Sequence, residues 1–336
     1  MKKYRIGIVG IGAVGTEMVR ILRERRFPAG EIRIFARSER DVTIAGETFH
    51  VETASPGAFE GLDFALFAGT EGARGASQRF GWEAVERGVI VIDNGDDFRM
   101  DDRVPLVIPE INPGALRHHR GFIANPNCST IIALMALAPL HHANRIRRFI
   151  ASTYQSVSGS GRAAVRELEQ QLRDYVHGNK LQWHTYPHQI ALNVIPQIGS
   201  PSLELVGYTS EEAKLLFETR KILGNDSIQV SATCARVPVF IGHGIVLHIE
   251  FDKPVTPDEA QRILSNAPGI SVVDDLENHQ YPLVINAAGQ DHCLVGRIRQ
   301  DPSVEHGLIL YVAGDNLRKG AALNAIQIAE TIIQMD

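Results

Sequence analysis

The chain has 336 residues, of which 44% are hydrophobic and 22% are charged, and its formal net charge is −5 at pH 7. This length exceeds what one hydrophobic core usually holds, so we expect two domains. The negative charge argues against a nucleic-acid partner, and the longest apolar run, residues 131–140, is about half the length of a membrane span.

The cysteines and the N-terminus bear on the compartment. The three cysteines are an odd number spread over the chain, which does not indicate a disulfide framework. The first residues enter an apolar strand directly and lack the apolar core and cleavage site of a signal peptide. We therefore predict a cytoplasmic protein that does not bind a membrane.

The first third of the chain alternates short apolar segments with helical patterns. Strands are predicted at residues 4–9, 32–35, 64–67, 89–92 and 106–108. The apolar stripe of Met18, Val19, Ile21 and Leu22 predicts a helix after the first strand, and residues 78–87 form a second predicted helix. This alternation is typical of a parallel sheet covered by helices, so we predict a Rossmann-type α/β domain.

The rest of the chain has a different order of elements. Helices are predicted at 161–177 and 210–223 and strands at 228–239 and 244–251, with a further apolar segment at 191–195. Successive strands with few crossover helices indicate an α+β domain with a mixed sheet. The amphipathic segment 319–335 is expected to pack on the first domain. We predict one domain of residues 1–127 plus 315–336 and a second of 128–314.

A glycine pattern joins the first strand to the first helix. The residues are Gly10-Ile-Gly12-Ala13-Val14-Gly15, which is G-x-G-x-x-G. Glycines permit a tight turn and a close approach of the backbone to a pyrophosphate, and the helix N-terminus supplies N–H donors and a positive dipole end. The strand–loop–helix context favours dinucleotide binding by this segment over a simple turn.

The end of the second strand bears on which dinucleotide is bound. An Asp or Glu at this place would hold the ribose diol of NAD. Arg37 and Ser38 occupy it here, and a guanidinium with a hydroxyl suits a 2′-phosphate. We predict NADP as the cofactor, while Glu39 keeps NAD as the alternative.

Cys128 stands directly before an apolar helical run, in the stretch N-P-N-C-S-T. Asn127 or Ser129 can cap that helix, which would place Cys128 at its N-terminus. The helix dipole and N–H groups there stabilise a thiolate, and the same N–H groups can bind an oxyanion. Cys128 is therefore a candidate nucleophile, with a buried structural cysteine as the alternative. Cys234 and Cys293 lack this setting and are expected to be structural.

A second glycine-rich stretch, T-Y-Q-S-V-S-G-S-G, occupies residues 153–161. A nicotinamide-binding fold combined with a candidate thiolate indicates one chemistry. The thiolate adds to an aldehyde, hydride leaves to the cofactor, and a thioester remains on the cysteine. No metal site is predicted, because neither C-x-x-C nor H-E-x-x-H occurs.

Four stretches resemble the aspartate-β-semialdehyde dehydrogenase family, and the resemblance runs over essentially the whole chain. The residues at 125–130 are similar to the family's nucleophile motif, and those at 153–161 to its loop for a glutamine and the cofactor. R-V-P-V-F-I-G-H at 236–243 resembles its segment for a substrate arginine and a catalytic histidine. D-N-L-R-K-G-A-A-L-N at 315–324 resembles its C-terminal signature.

The resemblance implies a role for each matched residue. Cys128 would carry the acyl-thioester, His243 would be the general acid and base, and Gln155 would orient the substrate. The implied substrate-binding residues are Arg99 and Lys214 for phosphate, Arg236 for the α-carboxylate, Glu211 for the amino group, and Asn127. The implied cofactor-binding residues after the first domain's loop are Ser158, Gly159, Gly161 and Asn316.

The implied reaction is reduction of β-aspartyl phosphate by NADPH to aspartate semialdehyde and phosphate, in the pathway to lysine, threonine and methionine. Residues 1–127 plus 315–336 would bind NADP, and 128–314 would carry catalysis and form a homodimer, with a tetramer as the alternative. The alternatives in function are a related acyl-phosphate or acyl-CoA reductase, and a low-activity paralogue that binds a nucleotide or a partner protein. The retained Cys128, Gln155, Arg236 and His243 argue against the paralogue.

Two of the departures from the family's pattern bear on the site. The family's D-N-S-S-A-F-R is here D-N-G-D-D-F-R at residues 93–99, so two small hydroxyl residues are gone and two acids, Asp96 and Asp97, stand beside Arg99. Acids at this place would repel a phosphate unless their carboxylates point away. Gly244 follows His243 where the family usually has serine or alanine.

Overall fold

The computed structural model describes residues 2–69 and 75–335, which form two compact units. The first unit comprises Met1–Asn127 and Ala321–Asp336, and the second comprises Cys128–Gly320. Among the described residues, no helix has the length and apolar character that crossing a membrane requires.

The elements within the described residues are as follows in chain order. The strands are β1 (Tyr4–Val9), β2 (Ala29–Ala36), β3 (Arg40–Ile44), β4 (Glu47–Thr53), β5 (Phe64–Phe67), β6 (Ile90–Asp93), β7 (Phe122–Ala124), β8 (Ile146–Gln155), β9 (Gln229–Arg236), β10 (His243–Phe251), β11 (Ile270–Val272), β12 (Cys293–Asp301) and β13 (Gly307–Gly314). The helices are α1 (Ala13–Glu24), α2 (Ala76–Glu86), α3 (Cys128–Ala143), α4 (Arg162–Val176), α5 (Ser210–Leu223), α6 (Pro257–Ser265), α7 (Val284–Ala287) and α8 (Leu323–Met335). A π-helical turn, Arg318–Ala322, precedes α8.

The first unit is built on a sheet with the strand order β3-β4-β2-β1-β5-β6-β7. Its strands are parallel except for the antiparallel pair β3 and β4. The inner strand β5, between β1 and β6, has the continuous apolar sequence F-A-L-F and is buried throughout, as expected for a parallel strand covered on both faces. Helix α8 packs on α1 and β6 within this unit. The predicted Rossmann-type parallel sheet is confirmed.

Two local predictions in this unit differ from the structure. The predicted strand at 106–108 is wrong, because Leu106 forms only a single bridge with Ala124. The hairpin of β3 and β4 was not predicted. Its turn residues Ala45 and Gly46 both have positive φ, +51° and +83°, as a tight hairpin turn requires. Alanine is an uncommon residue for that conformation, so the sequence carries a weak signal for this turn.

The second unit contains a mixed sheet with the strand order β11-β12-β13-β10-β8-β9. β10 is antiparallel to β8 and β13, whereas β8 is parallel to β9 and β11 to β12. Helix α3 carries apolar residues around its whole circumference and packs against this sheet and against α5 and α6. The predicted α+β unit with a mixed sheet is confirmed. The apolar segment 191–195 forms no strand, and Ile195 makes one bridge with Arg236.

Candidate active site

Cys128 is the first residue of helix α3, directly after Asn127. This position exposes the thiol to the positive end of the helix dipole and to the N–H groups of the first turn, both of which favour a thiolate. A Cβ at Gly320 would lie 3.0 Å from the Cβ of Cys128, so the glycine of the C-terminal signature allows the backbone to pass close to the thiol. Cys128 is half-buried, whereas Cys234 and Cys293 are buried.

Three predicted site residues occupy one row across the second sheet. Gln155 ends β8 and pairs with Arg236 at the end of β9 on one side and with His243 at the start of β10 on the other. All three side chains are buried. Parallel β8 and β9 end at the same edge, and antiparallel β10 begins there. The sheet register therefore brings together residues from three separate segments of the sequence.

Cys128 and His243 are in contact, with Sγ 3.4 Å from Nε2. At the other side of the ring, the backbone N–H of Ser156 donates to Nδ1 at 3.1 Å, and Ser156 Oγ lies 3.2 Å from Nδ1. His243 is fully buried. Burial, and after it the charge of Arg236, lower the pKa of His243 to about 3, while the backbone of Gly242 opposes this shift. The ring is therefore uncharged at neutral pH until a partner such as Cys128 gives it a proton.

Gln155 also contacts Glu211 on helix α5. Gln155 Nε2 donates to Glu211 Oε1 at 3.1 Å, and both side chains are buried. Lys214 Nζ lies 3.9 Å from Glu211 Oε2, one turn further along the same helix face. The helix starts at a capping box formed by Thr209 and Glu212, which explains why its predicted bounds and its observed bounds agree. The carboxylate of Glu211 and the ammonium group of Lys214 thus lie beside the row of residues that contains Gln155.

The guanidinium of Arg236 is only partly satisfied within the protein. Nη1 donates to the carbonyl of Ser156 at 2.7 Å, and the side chain is buried. Nε is buried and makes no hydrogen bond among the described residues. A buried donor without an acceptor destabilises the folded state, and a carboxylate oxygen from a substrate would satisfy it.

The second glycine-rich stretch forms the loop after β8. Ser158 and Gly159 lie in a 3₁₀ turn, and Gly161 has φ +86° directly before α4. A Cβ at Gly159 would lie 2.9 Å from Nη1 of Arg236 and 3.5 Å from the ring of His243. Glycine is therefore needed at 159 because the loop passes close to two polar side chains.

Asn316 and Ser156, a serine without a predicted role, connect this loop to the histidine. Asn316 Oδ1 lies 2.8 Å from its donor Gly242 N and 3.1 Å from Oγ of both Ser156 and Ser158. Asn316 Nδ2 donates to Ser158 Oγ at 3.0 Å. All of these side chains are buried. The sequence marks Ser156 only by its place directly after Gln155.

In the first unit, the predicted dinucleotide-binding residues form the turn from β1 into α1. Gly10 has φ +96°, Gly12 is the N-cap residue, and Ala13 and Val14 begin the helix. Apart from its neighbours along the chain, no described residue comes within 4 Å of a Cβ placed on Gly12. The helix N-terminus therefore offers space for phosphate oxygens next to its backbone.

Gly15→Ala is expected to lower the free energy of unfolding of the protein by about 1–3 kcal/mol, as overpacking typically does, and to weaken dinucleotide binding. A Cβ at Gly15 would lie 2.0 Å from the carbonyl oxygen of Gly10, and a backbone atom cannot rotate away. Thermal unfolding and a fluorescence titration with the cofactor measure both effects. Gly12→Ala serves as the control for unfolding, since its Cβ meets open space. Equal unfolding temperatures for Gly15→Ala and the wild type would contradict this packing argument.

Arg37 and Ser38 follow the end of β2 and are exposed. Arg40 donates from Nη1 to the carbonyl of Ser38 at 3.1 Å and to its Oγ at 3.2 Å. Two guanidinium groups and a hydroxyl are therefore close in the sequence at the carboxyl end of a parallel strand, where dinucleotide folds bind the adenosine ribose. Such a set suits a 2′-phosphate.

The contacts around Arg99 show where the carboxylate of Asp97 points. Arg99 is buried and donates from Nη2 to the carbonyl of Asn94 at 2.7 Å. The carboxylate of Asp97 accepts hydrogen bonds from Ser77 Oγ at 3.2 Å and Gln78 Nε2 at 3.1 Å, in the first turn of α2. Asp97 is therefore held by the N-terminal turn of a helix, which is a favourable place for an acid.

Gly244 is explained by a neighbouring tyrosine. A Cβ at Gly244 would lie 1.8 Å from Oη of Tyr311, which pairs with Val246 two residues further along β10. The tyrosine hydroxyl occupies the space that a side chain at position 244 would need, so glycine follows His243 in this chain.

The predicted residues divide between the two units. The second unit contains Cys128, Gln155, Ser158, Gly159, Gly161, Glu211, Lys214, Arg236, His243 and Asn316. The first unit contains Gly10, Gly12, Ala13, Val14, Gly15, Arg37, Ser38, Arg99 and Asn127. In the part of the chain that the structure describes, no group of three His, Cys, Asp or Glu side chains could hold a metal ion.

Comparison with known families gives two matches that together cover most of the chain. Residues 5–119 match the model described as semialdehyde dehydrogenase, NAD binding domain. Residues 137–319 match the model described as semialdehyde dehydrogenase, dimerisation domain.

Several curated relatives are similar over nearly the whole length. A protein named aspartate-semialdehyde dehydrogenase from Aquifex aeolicus is 43% identical, over 98% of this chain and 98% of the relative. Proteins of the same name from Legionella pneumophila and Bacillus subtilis are 44% and 41% identical, over 98% of this chain and 96% and 98% of theirs.

Solved structures give the same result. The aspartate semialdehyde dehydrogenase II of Vibrio cholerae, crystallised as a complex with ASA, superposes with a TM-score of 0.94 at 41% identity and covers 99% of both chains. A probable aspartate-semialdehyde dehydrogenase from Pseudomonas aeruginosa superposes with a TM-score of 0.89 at 27% identity, also over 99% of both chains.

Proposed function

The chain belongs to the semialdehyde dehydrogenase family, and from this premise we propose that it reduces β-aspartyl phosphate with NADPH to aspartate semialdehyde and phosphate. This reaction leads toward lysine, threonine and methionine. Relatives named aspartate-semialdehyde dehydrogenase, 41–44% identical over nearly the full length, support the substrate. The observation that carries the proposal is the 3.4 Å contact between Cys128 Sγ and His243 Nε2 at the N-terminus of α3.

The first chemical step belongs to Cys128. His243 accepts the thiol proton at Nε2, and the thiolate attacks the acyl carbon of β-aspartyl phosphate. The carbon–oxygen bond to phosphate breaks, and a thioester remains on Cys128. N–H groups of the first turn of α3 are suited to stabilise the oxyanion that forms during attack.

The second step returns the proton. NADPH, when bound, supplies a hydride to the thioester carbon. The imidazolium of His243 then donates its Nε2 proton to the oxygen that develops negative charge, and takes it back as the semialdehyde and the thiolate separate. Burial of His243 keeps this proton away from bulk water.

Charged side chains of the second unit match the groups of the substrate. Arg236, with a buried Nε and no acceptor for it among the described residues, is assigned to the α-carboxylate. Glu211, held by Gln155, is assigned to the ammonium group. Gln155 orients the substrate, and Lys214 is assigned to the phosphate. By the resemblance to the family's motifs, Arg99 is also assigned to the phosphate and Asn127 to substrate binding, although both belong to the first unit. An N-acetylated substrate has no cation for Glu211, which argues against an N-acetylglutamyl phosphate.

The cofactor is NADP. The loop of Gly10, Gly12 and Gly15 with the N-terminus of α1 fits its pyrophosphate, and Arg37 with Ser38 fits its 2′-phosphate. We assign Ser158, Gly159, Gly161 and Asn316 to the nicotinamide end by their resemblance to the family's motifs. On this assignment the first unit is the NADP-binding domain and the second is the catalytic domain.

The match to a dimerisation-domain model supports an oligomer. We propose a homodimer formed through the second unit, with a tetramer as the alternative. We also propose that the enzyme works in the cytoplasm, which the three free cysteines support.

The proposed function is tested by incubating the purified protein with aspartate semialdehyde, phosphate and NADP and following NADPH at 340 nm. We expect turnover that requires phosphate and is faster with NADP than with NAD. Turnover that does not change when phosphate is omitted would instead indicate a simple aldehyde dehydrogenase. No turnover with either cofactor would overturn the proposed substrate.

A further inference from the structure

The proposed reaction requires a proton on Nδ1, the ring nitrogen of His243 on the side away from Cys128. To accept a proton at Nε2 from Cys128, the neutral ring must carry its own proton on Nδ1, and the imidazolium carries one there as well. A proton on Nδ1 needs an acceptor. The ring of His243 makes hydrogen bonds with Cys128 and with two atoms of Ser156.

The two atoms of Ser156 act on Nδ1 in opposite ways. The backbone N–H, at 3.1 Å, can only donate, so it favours a ring without a proton on Nδ1. That tautomer points an N–H at Cys128 and cannot accept the thiol proton. The hydroxyl Oγ, at 3.2 Å, can donate or accept. Which tautomer is present therefore depends on where the hydroxyl proton of Ser156 goes.

Asn316 determines the direction of that hydroxyl. Ser156 Oγ lies 3.1 Å from Asn316 Oδ1, a carbonyl oxygen that can only accept. The amide cannot reverse its role, because Oδ1 also accepts from the backbone N–H of Gly242 at 2.8 Å. Nδ2 of the same amide donates to Ser158 Oγ, whose own hydroxyl lies 3.0 Å from Ser156 Oγ and can donate to it. With its proton on Asn316, Ser156 Oγ presents a lone pair to Nδ1.

We propose that Ser156 is a positioning residue for the reaction, whose hydroxyl, oriented by Asn316, accepts the Nδ1 proton of His243 and so keeps Nε2 available for proton exchange with Cys128. This inference rests on the proposed function of His243 as acid and base. It assigns to Ser156 the orienting role that a buried carboxylate has in Ser-His-Asp enzymes, with a neutral acceptor in its place. All members of the chain from Cys128 to Asn316 lie in the second unit.

The electrostatic surroundings of His243 explain why even a neutral acceptor on Nδ1 affects the protonation of the ring. The groups that act on the ring are Cys128 at Nε2 and the guanidinium of Arg236, whose charge disfavours the imidazolium, with the backbone of Gly242 acting in the opposite sense. In a fully buried site no water replaces a lost hydrogen-bond partner without cost. Removal of the Ser156 hydroxyl should therefore shift proton equilibria at both ends of the ring.

The test is Ser156→Ala, with the pH dependence of turnover and of Cys128 alkylation by iodoacetamide as readouts. We expect kcat to fall about tenfold with little change in KM, since one hydrogen bond to a charged group is lost. The Cys128 thiolate loses its stabilising imidazolium. The pH at which alkylation of Cys128 becomes fast, here called the alkylation limb, should therefore rise by about one unit. The imidazolium of His243 also forms less readily. The pH at which reductive turnover falls, here called the alkaline limb, should therefore be lower by a similar amount.

Two further variants separate this role from general packing. Ser156→Thr keeps the hydroxyl and is expected to restore both limbs. Ser231→Ala removes a hydroxyl on β9 that lies 3.0 Å from Oη of Tyr208, at a position that pairs with Ile150 and not with Gln155, and both limbs should stay in place. Limbs of Ser156→Ala at the wild-type pH, or equal shifts in Ser231→Ala, would overturn the proposal. Because alkylation needs no turnover, this result is independent of whether aspartate semialdehyde is the substrate.

Discussion

Cys128→Ala is expected to abolish phosphate-dependent turnover, with a loss on the order of 10⁴-fold or more, as for removal of other enzymic nucleophiles. Without the sulfur no thioester forms, and hydride has no acyl-enzyme to reduce. The change should leave the fold intact, because Cys128 is half-buried at a helix N-terminus and alanine is a good helix former. Steady-state NADPH formation measures the loss, and cofactor titration shows that binding is retained.

Cys234→Ala is the matched control for this variant. Cys234 is fully buried in β9, and burial, reinforced by Glu211, raises the pKa of its thiol. Its backbone N–H donates to Glu212 at 3.0 Å, a contact that alanine keeps. We expect activity close to that of the wild type and a small loss of stability from the missing sulfur. An equal loss of turnover in both variants would show that Cys128 is not the nucleophile.

Arg236→Lys is expected to lower kcat/KM for aspartate semialdehyde by about 10²-fold, because the charge is kept but a hydrogen bond to a charged group is lost. A guanidinium binds a carboxylate through two parallel N–H groups, and lysine offers a single point of charge. Lysine also cannot both reach the carbonyl of Ser156 and present a planar fork to the substrate. The main effect should fall on the KM for the semialdehyde, measured at saturating phosphate and NADP.

A substrate without the carboxylate makes this assignment specific. The wild type should use 3-aminopropanal poorly, and Arg236→Lys should use it no worse than the wild type does. Arg220→Lys is the control for a general effect of replacing a partly buried arginine, since Arg220 donates to the carbonyl of Ile228 at the other end of α5. A KM for aspartate semialdehyde that stays unchanged in Arg236→Lys would mean that another group binds the carboxylate.

Structural features that depend only on residues close together along the chain were predictable from the sequence. Helix α5 was predicted with its observed bounds because a capping box at Thr209 starts it and Gly224, in the left-handed conformation, ends it. The turn of Gly10 and Gly15 and the position of Cys128 before an apolar helix are local in the same way. The predicted strand at 106–108 failed because apolar composition alone does not supply a partner strand.

What the sequence by itself determined is therefore the two-unit architecture, the glycine turn and the helix that carries the thiol, since all of these follow from periodicity and local backbone preference. The tertiary structure alone decided which polar groups meet. Ser156 contacts His243, 87 positions away in the sequence, and Asn316, 160 positions away, and the pairing of β10 with β8 and with β13 brings these segments together. Hydrogen bonds act over about 3 Å, so their partners become known only when distant segments have a position in space.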